Sequence, residues 1–340
     1  MSKIQHTKKQ LMQKKYFIFG LLLFALACET KNTAPVFISS NGRINHLLLV
    51  VEDQQWKSKI GDKLKEIVGA PVLGMPQEEA QFDVTQVPIS AFGKMFKATR
   101  NVLHVALGEE NSFTSNKNRY AKPQQIVKVT GTTEQAILEI LEEYRSELTR
   151  IFKNADLADI QKKHLRKSHP KGAFQTLNAL GLEMNIPTFF KTVDDTGDFL
   201  WLRQHLSGGL AQGDSNSNIL IYTAPMPTSN KKLGSYISQM RDSIGRKHLP
   251  GRKEGMYMIT EKAFRPRVFK TKIKGRRTYQ THGKWELLND FMAGPFLNFA
   301  IEDPDNKQWI VLEAFVYAPS VDKRDFMFEV EAVLKTVQFK

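Results

Sequence analysis

Residues able to do chemistry are thinly spread along this chain. Eight histidines are present, but there is no His-Glu-x-x-His and no Gly-x-Ser-x-Gly, so neither a helix-borne zinc site nor a serine elbow is indicated. His46 and His104 sit inside apolar runs, where a histidine is more often a satisfied core residue than a ligand. Ser168-His-Pro-Lys171 and Ser229-Asn-Lys-Lys232 match Ser-x-x-Lys by letter. Pro170 blocks the helical turn in the first, and neither has a Lys-Thr-Gly partner. The glycines between Ser207 and Ser217 resemble a phosphate cradle but lack the Gly-Lys-Ser/Thr close and run into a strand. Asp194 to Asp198 and Glu302 to Asn306 offer oxygens to calcium, yet both are short of an EF-hand loop and read as ordinary turns. No metal and no cofactor is expected.

Two groupings remain. Glu286 and Asp290, four residues apart, would lie on successive turns of a helix, and they are the best pair from which a glycan- or lipid-acting hydrolase could draw acid and base. With His282 and Trp285 they also resemble a pocket rim, an aromatic among polar neighbours. The plainer reading is that Trp285, Phe291 and Phe296 fill core while Gly294-Pro295 turns the chain into a strand. The second grouping is Arg265 to Arg277, with seven basic residues and no acid. Read as one strand, it points Lys270, Lys272, Lys274 and Arg276 to one face about 7 Å apart, a cationic row suited to anionic lipid or glycan. The alternative is an edge strand guarded by its lysines.

The single cysteine, Cys28, follows Lys3, Lys8, Lys9, Lys14 and Lys15 and the apolar run Phe17 to Ala27. Basic segment, apolar core and small residues are the order of a secretory leader. As a helix the core would span about 16 Å, half of a hydrocarbon layer of about 30 Å. Ala25-Leu-Ala-Cys28 resembles a lipobox, with Ala25 where Leu is usual. The expectation is cleavage before Cys28 and acylation of its thiol. Met12-Gln-Lys-Lys before the same core is a leader in its own right, so Met12 is an alternative start.

The chain has 340 residues, 41% apolar and 25% charged, the balance of a globular protein. Five of the fourteen excess positive charges are leader lysines, which leaves +9 after cleavage. In an exported protein that excess meets lipid headgroups and acidic glycans, and no nucleic-acid partner is expected. With its only cysteine acylated, the mature chain has no disulfide and must be held by packing.

The elements divide the chain as leader 1–27, flexible tether 28–41, one domain over 42–169 and another over 170–340. In the first, Ile44 to Val51 reads as a buried strand and Trp56 to Val68 as a helix stopped by Gly69-Ala-Pro71. Strands are expected at Val102 to Leu107 and Gln125 to Thr130. A capping box at Thr132 and Gln135 opens a long helix to Lys167, broken near Asn154-Ala-Asp156. The second half predicts strands at Phe199 to Arg203, Asn218 to Tyr222, Gly255 to Thr260, Arg267 to Lys274, Phe296 to Glu302 and Gln308 to Tyr317. Its helices are a short one from Phe174 to Leu180, a stripe from Leu233 to Ile244, and Lys323 to Lys335. The expected architecture is α+β: two domains of similar β-α-β-β-α order packed together, mixed sheets with helices on one face.

Gly283-Lys-Trp-Glu-Leu-Leu-Asn-Asp-Phe-Met-Ala-Gly-Pro-Phe296, Glu313 to Pro319 and Lys323 to Glu331 together resemble the DUF4837 family, uncharacterised lipoproteins of the Bacteroidota. Gly42-Arg-Ile-Asn-His46 and Gly197 to Leu202 extend the resemblance over nearly all of the mature chain. It implies a Gram-negative cell envelope and carries no catalytic residue. Glu29-Thr-Lys-Asn32 is mixed rather than acidic, which favours the periplasmic side. The reading is a lipid-anchored envelope protein that binds or assembles with lipid, glycan or other envelope proteins. The runner-up is the hydrolase.

Overall fold

His46–Val50 is an apolar strand rich in leucine, β1, and in the computed structural model it is an interior strand of a five-stranded sheet. The structure describes residues 37–206, 215–229, 232–319 and 321–340. The leader, Cys28 and the glycine-rich loop after Leu206 lie outside them. Beside β1 run β2 (Asp83–Val87) and β3 (Asn101–Leu107), both parallel to it. β5 (Gln125–Gly131) is parallel to β3, and β4 (Ser112–Lys117) closes the edge antiparallel to β5. Parallel neighbours need a crossover, and α1 (Lys59–Val68), capped by Ser58, supplies the one between β1 and β2.

One face of this sheet is covered by α1, α2 (Glu134–Glu143) and α3 (Arg145–Leu165). Leu47, Leu49, Leu103 and Val127 meet Ile60, Leu64, Ile137 and Phe152 there, each burial worth about 1.5–3 kcal/mol. The other face, with Leu48, Val50 and Val102, is covered by Phe92 and Phe96 from the connection between β2 and β3 and by Tyr120 from the loop after β4. The long helix breaks at Tyr144, which stacks on Phe113 with ring centroids 4.3 Å apart, and not at Asn154 to Asp156. Its cap is Thr133, whose hydroxyl accepts from the Ala136 amide; Thr132 engages Asn111 instead.

The second sheet has eight strands, all antiparallel to their neighbours. They are β6 (Lys191–Asp195), β7 (Phe199–His205), β8 (Asn216–Pro225), β9 (Met258–Thr260), β10 (Arg267–Ile273), β11 (Arg276–Leu287), β12 (Ala293–Asp303) and β13 (Gln308–Tyr317). In space the order is β9, β11, β12, β13, β8, β7, β6, with β10 also on the outer edge of β11. Strands such as Ile219 to Tyr222 and Trp309 to Leu312 are apolar on both faces, so both must be covered. Short α4 (Gln175–Ala179) and α6 (Arg324–Leu334) cover one, α5 (Leu233–His248) the other. The fold is α+β, with helices on one face of the first sheet and on both faces of the second.

Both sheets belong to one compact unit, Ser39–Lys340. Their junction is α3 against α6, where Leu157 and Ile160 meet Phe328 and Ala332. Asn45 pins it: its backbone N–H donates to Asp156 at 2.8 Å and its side-chain amide to Asp325 at 2.8 Å, from a left-handed φ of 53° that asparagine tolerates. The strand-helix step at β1 and α1 recurs at β8 and α5, but the sheets around them differ in strand direction. Among the described residues no helix is long and apolar enough to cross a membrane.

Candidate functional site

Period two in the second sheet puts Trp201, Arg203 and His205 of β7 on the α5 side, together with Phe315 and Tyr317 of β13 and Trp285 and Leu287 of β11. At the end of the sheet, where α5 stops at His248, these side chains and the segment Leu249 to Arg252 enclose a cleft of about 410 Å³. That is the size of a small-ligand site. Asn216, Met258 and Met292 complete the wall, and among the described residues no carboxylate lines it.

The cleft has a braced cationic corner. The Asn218 side-chain oxygen accepts from Trp201 Nε1 at 3.0 Å and from Arg203 Nε at 3.1 Å, and the Asn218 amide donates to Asn216 at 2.6 Å. Arg203 thereby lies over the Trp201 ring, 4.6 Å from its centroid. Among the described residues no carboxylate pairs with Arg203, and partial burial lowers its pKa, although a guanidinium stays charged. Trp285, only 2% exposed, forms the opposite wall; its indole N–H donates to the Val316 carbonyl at 3.3 Å and its ring meets Phe315 edge-on. The arrangement can hold an apolar or flat body between indoles and a negative group on Arg203.

The structure distributes the sequence-derived candidates differently. Trp285 lines the cleft, but His282 lies on the other face of β11, in a separate cavity with α3 and α6. It receives a hydrogen bond from Gln280, and burial lowers its pKa. Glu286 shares that opposite face, since β11 is a strand through Leu287 and not a helix. Asp290 sits in the following turn and accepts from the Phe291 amide at 2.6 Å. The four therefore do not form one rim, and Glu286 and Asp290 are not stacked on helical turns. Phe291 is fully exposed at this turn and fills no core.

The cationic row is likewise divided. Lys270 and Lys272 are exposed on β10, an edge strand. The chain then reverses at Lys274-Gly275, with φ of 49° and 81°, a two-residue hairpin loop. Lys274 is at the tip, and Arg276 on the return strand pairs with Asp303 at 3.5 Å and covers the Phe339 ring. The acidic turns serve the fold: Asp195 accepts from the Gln175 and Thr176 amides that open α4, and Asp303 from Asn306 and Gln308. Sequence reasoning passed over Arg203, although Trp201 and Arg203, two apart in an apolar strand, carried the signal.

A model for a domain of unknown function, DUF4837, matches residues 170–336. This chain belongs to the DUF4837 family through its C-terminal half. A second domain of unknown function, DUF8532, matches residues 40–164, so the motif Gly42 to His46 lies in that domain and the DUF4837 match is confined to residues 170–336. The DUF4837 half contains the whole cleft, and its motif Gly283 to Phe296 supplies Trp285, Leu287 and Met292. No curated protein matches the chain. Among solved structures, the Ran-binding protein MOG1P of Saccharomyces cerevisiae and a mutant of protein Mog1 are each 8% identical, covering 47% of this chain and 90% of their own, with a TM-score of 0.31. A score of that size is below that of a shared fold.

Proposed function

We propose that this protein is a lipid-anchored protein of the cell envelope, facing the periplasm, that binds an acidic amphiphile in the aromatic cleft of its DUF4837 half. The leader ending at Ala25-Leu-Ala-Cys28 supports the anchor. The observation that carries the binding role is Arg203, held over Trp201 in a cleft that no carboxylate of the described residues lines, with no hydrogen bond from its outer nitrogens to any described residue. A guanidinium so placed is compensated by a ligand's anion, while Trp285, Phe315 and Tyr317 take up its apolar part. No observation favours hydrolysis, because Glu286 and Asp290 do not face one another across this cleft.

Two measurements test the reading. Labelling cells with a fatty-acid analogue should mark the parent and leave Cys28→Ser unmarked; an unmarked parent recovered with cytosolic contents removes the anchor. Calorimetry of the mature chain should find decanoate bound at least tenfold more tightly than decanol, a charge-assisted hydrogen bond being worth about 1.5–3 kcal/mol. Arg203→Gln should abolish that preference. Absence of binding by both amphiphiles removes the cleft as a site.

A further inference from the structure

We infer that the first sheet carries a second, separate binding site, for a phosphate monoester borne on a ring. Its place is a cavity of about 320 Å³ on the face of that sheet away from α1, α2 and α3. His104 of β3, Lys128 of β5, Lys97 from the helical turn Lys94–Lys97, and Arg119 and Tyr120 from the loop after β4 converge on it. Among the described residues no carboxylate lines it.

Among the described residues Lys97, Arg119 and Lys128 have no carboxylate partner, so three positive charges gather at this one cavity without counterions. Lys97 and Arg119 instead hold positions around the Tyr120 ring, at 5.3 Å and 5.4 Å from its centroid. The repulsion among such groups is relieved by an anion, and three cations suit a dianionic phosphate better than a carboxylate.

His104 adds an independent sign. Its ring packs edge-on to Phe92, and its Nδ1 is shielded from solvent with no hydrogen-bond partner among the described residues. Burial first, then the charges of Lys128 and Arg119, holds this imidazole below its ordinary pKa. A phosphate oxygen in the cavity would supply the missing partner and reverse the sign of the local field. Phe92 and Tyr120 line the same cavity and give it an apolar wall for whatever carries the phosphate.

The walls are built rather than incidental. Gln124, buried in the loop, donates its side-chain amide to the carbonyls of Lys97 at 2.7 Å and Thr99 at 2.8 Å, and accepts from the Tyr120 amide at 2.9 Å. Its own backbone N–H donates to Asn118 at 3.0 Å. One side chain thus fixes the Lys97 wall against the Arg119-Tyr120 wall before any ligand arrives.

The test is NMR of the mature chain with the His104 ring as reporter. Glucose 1-phosphate, glucose, inorganic phosphate and vesicles of phosphatidylcholine with and without phosphatidate are added in turn. Glucose 1-phosphate should move the His104 resonances and raise its titration midpoint, glucose should not, and the paired change Arg119→Gln with Lys128→Gln should weaken binding at least tenfold. Both substituted residues are exposed, so the fold should survive, as far-UV circular dichroism will show. A response only to phosphatidate vesicles, lost in the variant, supports the same site with a membrane source for the phosphate. No response to any phosphate, an equal response to glucose, or undiminished binding by the variant overturns it. The site shares no residue with the aromatic cleft, so either can fail alone.

Discussion

Arg241 of α5 and Glu313 of β13 form an ion pair cut off from water: Arg241 Nη2 lies 2.8 Å from Glu313 Oε1, and each side chain is 2% exposed. The pair survives burial because nearly every polar atom around it is used. Glu313 also accepts from Tyr222 and Asn298, Arg241 donates to Thr260, and the guanidinium covers the Phe296 ring at 3.4 Å. Removing one partner strands the other. Glu313→Gln or Arg241→Met should lower stability by about 3–5 kcal/mol, whereas the joint change to Leu and Met should recover much of the loss. Urea unfolding of the three variants checks this; single changes costing less than about 1 kcal/mol would contradict it.

Glu79 joins the two sheets from the other side. Its carboxylate accepts from the Lys323 and Arg324 amides at 2.9 Å and 2.6 Å, so a residue of the DUF8532 half caps the first turn of α6 in the DUF4837 half. The free N–H groups and the dipole of that turn favour a negative charge there. Glu79→Ala should cost about 1–2 kcal/mol, the range for a lost cap. Amide hydrogen exchange should rise first at the start of α6; protection there unchanged from the parent would remove the cap from the account.

The sequence made the apolar framework legible and left its polar joints obscure. β13 has the bounds expected from Gln308 to Tyr317 alone, α6 differs from expectation by one residue at each end, and α5 runs four residues past the last member of its stripe, Ile244. A buried strand or stripe is written in consecutive residues. The break in the long helix is not, since it depends on Tyr144 meeting Phe113 from another strand. Asp156 looks like a helix breaker in sequence, yet it lies in mid-helix because Asn45, just before β1, and Arg100 and Asn101, at the start of β3, reach it. β11 carried a two-residue period from Arg276 to Leu287, which the helical spacing of Glu286 and Asp290 disguised. Both clefts take their charged groups from several strands and loops, so no local pattern announces them.

Burial holds the imidazoles of His46, His104, His164 and His282 below their ordinary value of 6.5, to which they return on unfolding. Between those values the unfolded chain binds more protons. The contribution to stability is therefore complete above pH 6.5 and is lost as pH falls through the lower folded values. The urea midpoint should drop between pH 7 and pH 5, and less so in His282→Gln; equal midpoints at the two pH values would sink the argument.

Lys153 acts at the opposite end of the scale. Burial between the Phe82 and Phe328 rings lowers its pKa from 10.5 to about 8, while its ammonium donates to Asn45 and to the Gln81 carbonyl. Between about 8 and 10.5 the folded chain holds fewer protons than the unfolded one, so the cost of burying this charge is full below that window and fades as pH rises through it. The urea midpoint should climb from pH 8 to pH 10 in the parent relative to Lys153→Met. Parallel pH profiles for the two proteins would count against the assignment.

Gly294 ties the fold to the cleft. A Cβ there would overlap the Val316 carbonyl oxygen and come within 2.9 Å of the Trp285 indole nitrogen, so the absence of a side chain lets the indole hydrogen bond to Val316 form. Backbone on β13 cannot retreat without disturbing its pairing with β8 and β12. Gly294→Ala should cost about 1–3 kcal/mol through overpacking. It should also displace Trp285 from the cleft wall, shifting indole emission and weakening decanoate binding together. Gly93, whose added Cβ would meet nothing nearer than the Ala91 carbonyl at 3.8 Å, is the control, and Gly93→Ala should stay within about 0.5 kcal/mol of the parent. If Gly294→Ala proves as silent as the control, the close approach of these two strands does not shape the site.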